Sequence, residues 1–190
     1  MKSELKETPQ NIPSSNWNLD KKETNQYILD KLQKKKKLID NYDGIDIHKS
    51  GNNYFVLSDD GWIAYLMSVK NDKIQKLKMD YATQVLVWRL YGKIGVSGIA
   101  SYIFWNHLFP IHYIVMTDGE QTKEGQNFWK DKIAQALRRK LFVYRVNVRT
   151  GETIRISNGV DAFADDTYGD AKNFRLIRLV ISKHELFKKS

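Results

Sequence analysis

The chain has 190 residues and a formal net charge of +9, from 31 Lys and Arg against 22 Asp and Glu. It contains no cysteine, which excludes disulfide bonds, thiolate metal ligands and a cysteine nucleophile. Its 42% of hydrophobic and 12% of aromatic residues suffice for a folded core and argue against global disorder.

The hydropathy of the chain and its first residues predict where in the cell the protein lies. The sequence has no run of about 18 apolar residues, so we expect no transmembrane helix and no membrane partner. Met1–Lys6 lacks the apolar core of a secretory signal, so we expect a cytoplasmic protein. Residues 1–24 are polar, contain two of the three prolines and show no hydrophobic period, which predicts a flexible arm. We expect residues 25–190 to form a single domain.

The first regular element is predicted between Asn25 and about Tyr42. Apolar residues recur there at roughly helical spacing, at Tyr27, Ile28, Leu32, Leu38 and Ile39. This spacing predicts an amphipathic helix around the basic run Lys34–Lys37, with Thr24 or Asn25 as its N-cap.

Between Ile45 and Arg89 the hydrophobic period shortens to that of β-strands. Strands are predicted at Ile45–His48, Tyr54–Leu57, Trp62–Val69 and Leu77–Arg89. The polar turns between them are Ser50–Asn53, Asp59–Gly61 and Asn71–Asp72. Short apolar runs separated by such turns indicate an antiparallel meander.

The second half of the chain alternates strands with helices. Its predicted elements are a helix that begins at Ser97–Ala100, the strand Tyr113–Met116, a helix with Gly125 and Trp129 near its start, and the strands Phe142–Val146 and Arg175–Ile181. Strands joined through helices call for parallel crossover connections, so we predict an α+β fold with a mixed, mostly antiparallel central sheet flanked by helices. The connection Ser157–Asn173 is long for a structureless loop, which predicts binding or mobility there.

The loop Gly92–Gly98 could capture a phosphate group. Backbone N–H groups converge at a helix N-terminus, and the helix dipole places roughly half a positive charge there. Ser97 would then serve as the N-cap or as an added donor, and Lys93 would supply a countercharge. The structural alternative is a glycine-rich connection between a strand and a helix that binds nothing.

The polar elbow Thr117–Thr122 carries two carboxylates, Asp118 and Glu120, at the carboxyl end of a predicted central strand. Open α/β sheets bind ligands at such strand ends, and either carboxylate could act as the general base for an amine nucleophile. The alternative is ordinary capping of the next helix, with Thr122 as the cap. Tyr144 could donate a proton if it faces a cleft, and a position in the core or on a sheet face is its alternative role.

The four histidines show no metal-binding pattern. His107 and His112 lie five residues apart across a proline, so they do not form a helical metal pair. We assign no metal site and recognise no Ser/His/Asp arrangement.

The order of elements over residues 54–156, a little over half of the chain, resembles the GCN5-related N-acetyltransferase (GNAT) superfamily. In that family a strand leads to a pyrophosphate-binding loop of pattern Gln/Arg-x-x-Gly-x-Gly/Ala at the start of a helix, and the next strand splays away from the first. Here Gln84–Arg89 resembles the first strand, Lys93–Gly98 the loop and Tyr113–Met116 the next strand. The run Asp118–Trp129 is similar to an acetyltransferase-like branch found in bacteriophages.

The resemblance implies a GNAT-like fold and an acyl-CoA-dependent N-acyltransferase, with acetyl-CoA as the simplest cofactor. The pyrophosphate would lie against Gly95–Gly98, and the pantetheine amides would pair with the edge of Val85–Arg89. The implied cofactor-binding residues are Val87, Arg89, Lys93, Gly95, Ser97, Gly98, Ile99, Gln121 and Thr122.

The resemblance also implies a mechanism and an acceptor. Proximity of the thioester to an amine would do most of the catalysis, with Asp118 or Glu120 relaying the amine proton. The amine would attack directly, since the chain has no cysteine for an acyl-enzyme. The acceptor would be a host protein or a nucleic-acid base in the host cytoplasm, and the basic surface slightly favours the base.

Two alternatives from other functional classes stay open. A non-catalytic module on the same fold could use Lys34–Lys37, Arg138–Lys140 and the C-terminal lysines on phosphate backbones. Val96 stands where the family has its first loop glycine and favours this module, whereas the retained glycine turn favours the enzyme. A virion or host-interaction component that recognises an acidic protein is the third hypothesis. For each basic cluster, a solvated lysine-rich face is the plain alternative.

Overall fold

The computed structural model describes residues 19–74, 79–89, 98–112, 114–117, 123–158 and 176–186, which form an α+β fold as predicted. The helical segments are α1 (Lys22–Gln33), α2 (Ile99–Ile103), a π-helical segment (Phe104–Leu108), α3 (Phe109–Ile111) and α4 (Lys123–Arg138). The strands are β1 (Lys37–Tyr42), β2 (Ile45–Ser50), β3 (Asn53–Leu57), β4 (Ile63–Ile74), β5 (Met79–Arg89), β6 (Ile114–Met116), β7 (Phe142–Asn147), β8 (Thr153–Ile156) and β9 (Ile177–Ser182). No helix in these ranges is long and apolar enough to cross a membrane.

The nine strands are hydrogen-bonded in the order β1-β2-β3-β4-β5-β6-β9-β7-β8. Strands β5 and β6 run parallel, with Ala82 opposite Val115 and Thr83 opposite Met116. The described pairs β1–β2, β2–β3, β3–β4, β6–β9, β7–β8 and β7–β9 are all antiparallel. The prediction of a mixed, mostly antiparallel sheet is therefore confirmed. In the chain, α2, the π-helical segment and α3 lie between the two parallel strands, as a crossover connection requires.

The chain divides into two units, and β4, β5 and α2 contribute residues to both. Unit 1 takes its described residues from Met1–Val69 and Val85–Tyr102, and unit 2 from Lys70–Gln84 and Ile103–Ser190.

Unit 1 has its apolar core beneath helix α1. The buried members of this core are Leu19, Ile28, Leu29, Leu32, Phe55, Ile63 and Leu66. Within α1, Leu32 follows Ile28 by four residues and Leu29 by three, so the three side chains share one helix face. Burying a leucine or isoleucine side chain contributes roughly 1.5–3 kcal/mol, so this face holds α1 on β3 and β4. Leu19 is fully buried, although it belongs to the segment predicted to be a flexible arm.

Asn25 fastens α1 to the start of β4. Its side-chain Nδ2 donates to the carbonyl oxygens of Leu19 (3.0 Å) and Ile63 (3.1 Å), and its Oδ1 accepts from the Ile63 N–H (3.0 Å). The side chain is 2% exposed, so water cannot replace these bonds. The predicted N-caps are wrong: α1 begins at Lys22, Lys21 is the N-cap without a side-chain bond, and Thr24 and Asn25 lie inside the helix.

The core of unit 2 contains an aromatic cluster next to helix α4 and a second apolar cluster on the strands of this unit. Trp129, Ile133 and Ala136 are buried at intervals of four and three residues, which places them on one face of α4. Phe104 is fully buried and meets Trp129 edge to face, with ring centroids 5.7 Å apart. The buried members of a second cluster are Ile74, Ile114, Met116, Tyr144, Val146 and Val180.

The helix predicted from Asn25 to about Tyr42 is wrong in its second half. Helix α1 ends at Gln33, and β1 pairs antiparallel with β2. Asp43 and Gly44, between these strands, have φ of 51° and 80°. Two successive positive φ angles are the geometry of a type I′ hairpin turn, which the Asp-Gly dipeptide favours. That dipeptide was the local signal for the hairpin.

Two predicted connections prove to be regular structure. The predicted turn Asn71–Asp72 lies within β4, where the Asp72 carboxylate binds the Lys70 ammonium and accepts from the Lys73 N–H at 2.8 Å. The stretch from His107 to His112, which connects the predicted helix at Ser97–Ala100 to the predicted strand Tyr113–Met116, is helical as far as Ile111. Its π-helical segment carries an i→i−5 bond, from the Phe109 N–H to the Phe104 carbonyl. The other predicted elements are confirmed, apart from residues at their ends.

We predict that Asn25→Ala lowers the free energy of unfolding by roughly 2–4 kcal/mol. Each buried hydrogen bond contributes about 1 kcal/mol, and each unsatisfied group left on Ile63 costs about 1–3 kcal/mol. Urea denaturation followed by circular dichroism measures the change. The matched control is Gln26→Ala on the exposed side of α1, which should stay within about 0.5 kcal/mol of the parent. Equal effects of the two substitutions would show that the Asn25 bonds do not hold α1.

Candidate functional site

Gly98 stands at the start of the helical segment that follows β5, as the sequence predicted. Its carbonyl oxygen accepts the first helical bond, from the Tyr102 N–H at 2.8 Å. Its φ of +90° is a conformation that residues with a side chain rarely adopt. Gly98 is exposed, whereas the side chain of the next residue, Ile99, is 1% exposed and belongs to the core. Gly98 and the backbone of the helix start are therefore accessible to a ligand, whereas the Ile99 side chain is not.

The β1–β2 hairpin brings side chains to Gly98. A Cβ atom added to Gly98 would lie 3.0 Å from the Tyr42 hydroxyl oxygen. The Tyr42 ring also packs on the Tyr102 ring, with centroids 4.4 Å apart and planes inclined by 35°. The Tyr102 hydroxyl donates to Asp40 Oδ2 at 2.7 Å. Gly98, Tyr42, Tyr102 and Asp40 therefore form one contact network around the start of α2.

Local chain geometry explains how the hairpin reaches that position. The β1–β2 register shifts between Leu38 and Asp40, and such a bulge bends a strand and re-aims its side chains. Asp40 and Tyr42 are two residues apart on β1, so they lie on the same face. Asn41 points elsewhere and fixes the turn, because its Oδ1 accepts from the Gly44 N–H at 3.0 Å.

The electrostatics of the network keep Tyr102 a hydrogen-bond donor. The hydrogen bond to Asp40, followed by burial and by the charge on Asp40, raises the pKa of the Tyr102 hydroxyl above its ordinary value. A raised pKa means that the phenol stays protonated at neutral pH and continues to donate. The Tyr102 hydroxyl therefore uses its one hydrogen on Asp40, which leaves the Tyr42 hydroxyl and the backbone N–H groups at the start of α2 as the donors of this network that could bind an anionic ligand.

Strand β5 presents the two described residues that the sequence assigned to the cofactor's pantetheine arm. Val87 is 49% exposed, which is high for a valine within a strand, and Arg89 is exposed as well. The described pairing of β5 with β6 ends at Thr83 and Met116, and β5 continues to Arg89.

Tyr144 occupies the alternative role that the sequence left open for it. The side chain is 2% exposed, and its hydroxyl oxygen accepts from the Leu186 N–H at 3.1 Å. Tyr144, a residue of β7, thus lies in the core of unit 2, and its hydroxyl contacts the segment after β9.

Seven of the predicted site residues lie outside the described residues. They are Lys93, Gly95, Ser97, Asp118, Glu120, Gln121 and Thr122. Most of the predicted binding loop Ser157–Asn173 lies outside them too.

Sequence reasoning missed Asp40, Tyr42 and Tyr102. Tyr102 lies one helical turn after Gly98, which the sequence singled out, whereas the Asp43-Gly44 turn that directly follows Tyr42 was not predicted. Their contact could not be inferred because the helix assignment placed Tyr42 at the end of an unrelated surface element.

Two buried polar atoms of unit 1 have no hydrogen-bond partner among the described residues. They are His48 Nδ1 and the Tyr65 hydroxyl. Burial, followed by the positive charge of Lys36, lowers the pKa of His48, while Asp46 opposes this shift. Burial raises the pKa of Tyr65, and the charge of Arg89 opposes that shift. Arg89, an expected cofactor-binding residue, is therefore coupled electrostatically to a buried phenol.

We predict that Gly98→Ala lowers the free energy of unfolding by roughly 1–3 kcal/mol, because a positive φ strains any side-chain-bearing residue. Part of the loss comes from the Tyr42 hydroxyl, since the next Tyr42 atom, Cζ, would lie 3.9 Å from the new Cβ. The same substitution should therefore cost less in a Tyr42→Phe background. A double-mutant cycle measured by chemical denaturation tests this, and strict additivity would contradict the contact.

We predict that His48 makes unit 1 less stable as the pH falls below about 6.5, the ordinary histidine value. Its pKa is lowered in the folded state, so the unfolded chain takes up a proton first, and this contribution to stability is lost as the pH falls toward the folded-state pKa. His48→Phe keeps a ring against Phe55 and cannot titrate. The variant should lose less stability than the parent between pH 7.5 and pH 5.5. Parallel losses would rule out His48 as the titrating group.

Comparisons with protein-family models, with curated proteins and with solved structures found no match to this chain.

Proposed function

We propose that the chain is an acyl-CoA-dependent N-acyltransferase that transfers an acyl group, acetyl in the simplest case, to an amine on a macromolecule. The observation that carries the proposal is the β5–β6 pair, which is the single parallel pair among the strand pairs that the structure describes. The helical segment begun by Gly98 lies between these strands in the chain, and α4 follows β6. This order is the one expected for the GNAT layout.

The described residues fit the cofactor. Gly98 is exposed, has no side chain and precedes a helical segment whose first N–H groups have no partner within the helix. We propose that these groups and Lys93, Gly95 and Ser97 hold the pyrophosphate. The backbone around the exposed Val87 would pair with the pantetheine amides.

Bound acyl-CoA would supply an activated thioester, and the chain would supply position and proton transfer. Holding an amine beside the thioester carbonyl saves the entropy of encounter, which is a large part of the barrier. Asp118 or Glu120 would accept the amine proton. We assign no such role to Tyr144, because its hydroxyl accepts a backbone hydrogen bond inside the core.

We predict saturable binding of acetyl-CoA to the purified chain in isothermal titration calorimetry. Gly98→Asp should weaken this binding roughly tenfold or more, because its carboxylate would face the pyrophosphate, and tenfold corresponds to about 1.4 kcal/mol. The matched control is Gly98→Ala, which also places a side chain at this positive φ but adds no charge, and it should bind better than Gly98→Asp.

A second variant guards against misfolding of the Gly98 substitutions. Lys93→Glu reverses a charge in the loop without changing Gly98, and it should also weaken binding. The absence of heat with the parent protein at millimolar acetyl-CoA would contradict the enzyme and leave the non-catalytic module. Binding without thiol release in the presence both of lysine-containing proteins and of nucleic acid would contradict the transfer step alone.

A further inference from the structure

Unit 2 carries a compact basic surface, formed by Arg138, Arg139, Lys140 and Lys183, which we call the basic patch. Arg138 ends helix α4, Arg139 and Lys140 form the turn after it, and Lys183 follows β9. In the described part of unit 2, Lys and Arg outnumber Asp and Glu about two to one. Most of the net charge of the described chain therefore belongs to this unit.

Aromatic rings hold two of these cations in place. The Arg139 guanidinium lies over the Trp105 ring at 4.1 Å, and the Lys183 ammonium lies 5.4 Å from the centre of the Phe109 ring. The two rings touch edge to face, with centroids 5.3 Å apart. Lys183 also donates to the Pro110 carbonyl at 2.7 Å. Two cations on adjoining rings lose little further side-chain freedom when they bind an anion.

The arginines of the patch retain unused donors. Within the described residues, no carboxylate forms an ion pair with Arg138, Arg139 or Lys140. All three residues are exposed. Stacking on Trp105 occupies one face of the Arg139 guanidinium and leaves the N–H groups in its plane available, and this fork geometry matches phosphate oxygens.

We propose that the basic patch binds the phosphate backbone of a nucleic acid, independently of base sequence. Trp105 and Phe109 are 9% and 6% exposed, so they support the cations and cannot serve as platforms for base stacking. A cluster of exposed cations without exposed aromatic rings suits the charged phosphates of a duplex backbone better than the bases of a single strand. The patch does not depend on the proposed acyl-CoA site, whose described residues belong to unit 1.

The other lysine cluster fits a different role. Lys34–Lys37 runs from the end of α1 into β1, the strand at one end of the sheet order. Lysines on an edge strand oppose pairing with strands of other molecules, and β1 also carries Leu38, which is 61% exposed. This cluster therefore supplies the matched control of equal charge.

The test measures the affinity of the full chain for a mixed-sequence duplex DNA by fluorescence anisotropy between 50 and 200 mM salt. Logarithmic affinity should fall linearly with logarithmic salt, and Arg138→Gln/Arg139→Gln/Lys140→Asn should reduce the slope by about 3 and weaken binding roughly 100-fold at low salt. Asparagine is chosen at Lys140 because it tolerates the φ of 59° found there.

Lys34→Gln/Lys35→Gln/Lys36→Gln removes the same charge and should change the slope by less than about 1. Arg138→Gln alone leaves the contact between Arg139 and Trp105 intact and should reduce the slope by about 1. This single variant replaces the triple variant if the latter does not fold. Equal reductions of the salt slope by the two triple variants would show that only the net charge of the protein matters, which would overturn the proposal. So would undetectable DNA binding at 50 mM salt, or binding that polyglutamate abolishes as efficiently as DNA does.

Discussion

The parallel pairing of β5 with β6 is the constraint on which the rest of the structure depends. Two strands that run in the same direction cannot be joined by a tight turn, so the chain between them has to cross over the sheet. Residues 99–111 use this crossover to form helical segments. Strand β6 thereby becomes an interior strand between β5 and β9, and its Val115 and Met116 are fully buried. An antiparallel meander alone would place no helix start after β5.

Patterns within short windows predicted most of this fold, and they failed where a strand has no buried face. The turn at Gly51 and the helix with Gly125 and Trp129 near its start were predicted from such local signals, and both are present. Strand β1 is different because none of its six side chains is fully buried and Leu38 is largely exposed. Its hydrogen bonds to β2 define it, and a partner strand leaves no period in the sequence.

Only part of the candidate site could be predicted, because its other residues meet through contacts between distant parts of the sequence. Gly98 stands out because a glycine before an apolar helical run indicates a special backbone conformation, and its positive φ agrees with that expectation. Tyr102 and Asp40, in contrast, are joined by a hydrogen bond across 62 positions of sequence. Such contacts depend on the hairpin, its bulge and the helix start together, so no window of sequence contains them. The network also explains why Gly98 is needed beyond its φ, since Tyr42 leaves little room for a side chain.

The two basic clusters look alike in the sequence and differ in their physical setting. Lys34–Lys37 begins an edge strand, where long, mobile ammonium groups discourage association. Arg139 and Lys183 rest on adjoining aromatic rings, so their side chains already lose conformational entropy when unit 2 folds. They therefore lose less when they bind an anion. The net charge of a cluster does not distinguish the two settings, whereas the aromatic rings beneath Arg139 and Lys183 do. A surface arranged in this way suits a large polyanion better than a small amine. If the chain does transfer acyl groups, this surface is a reason to seek its acceptor on a nucleic acid or on a protein bound to one.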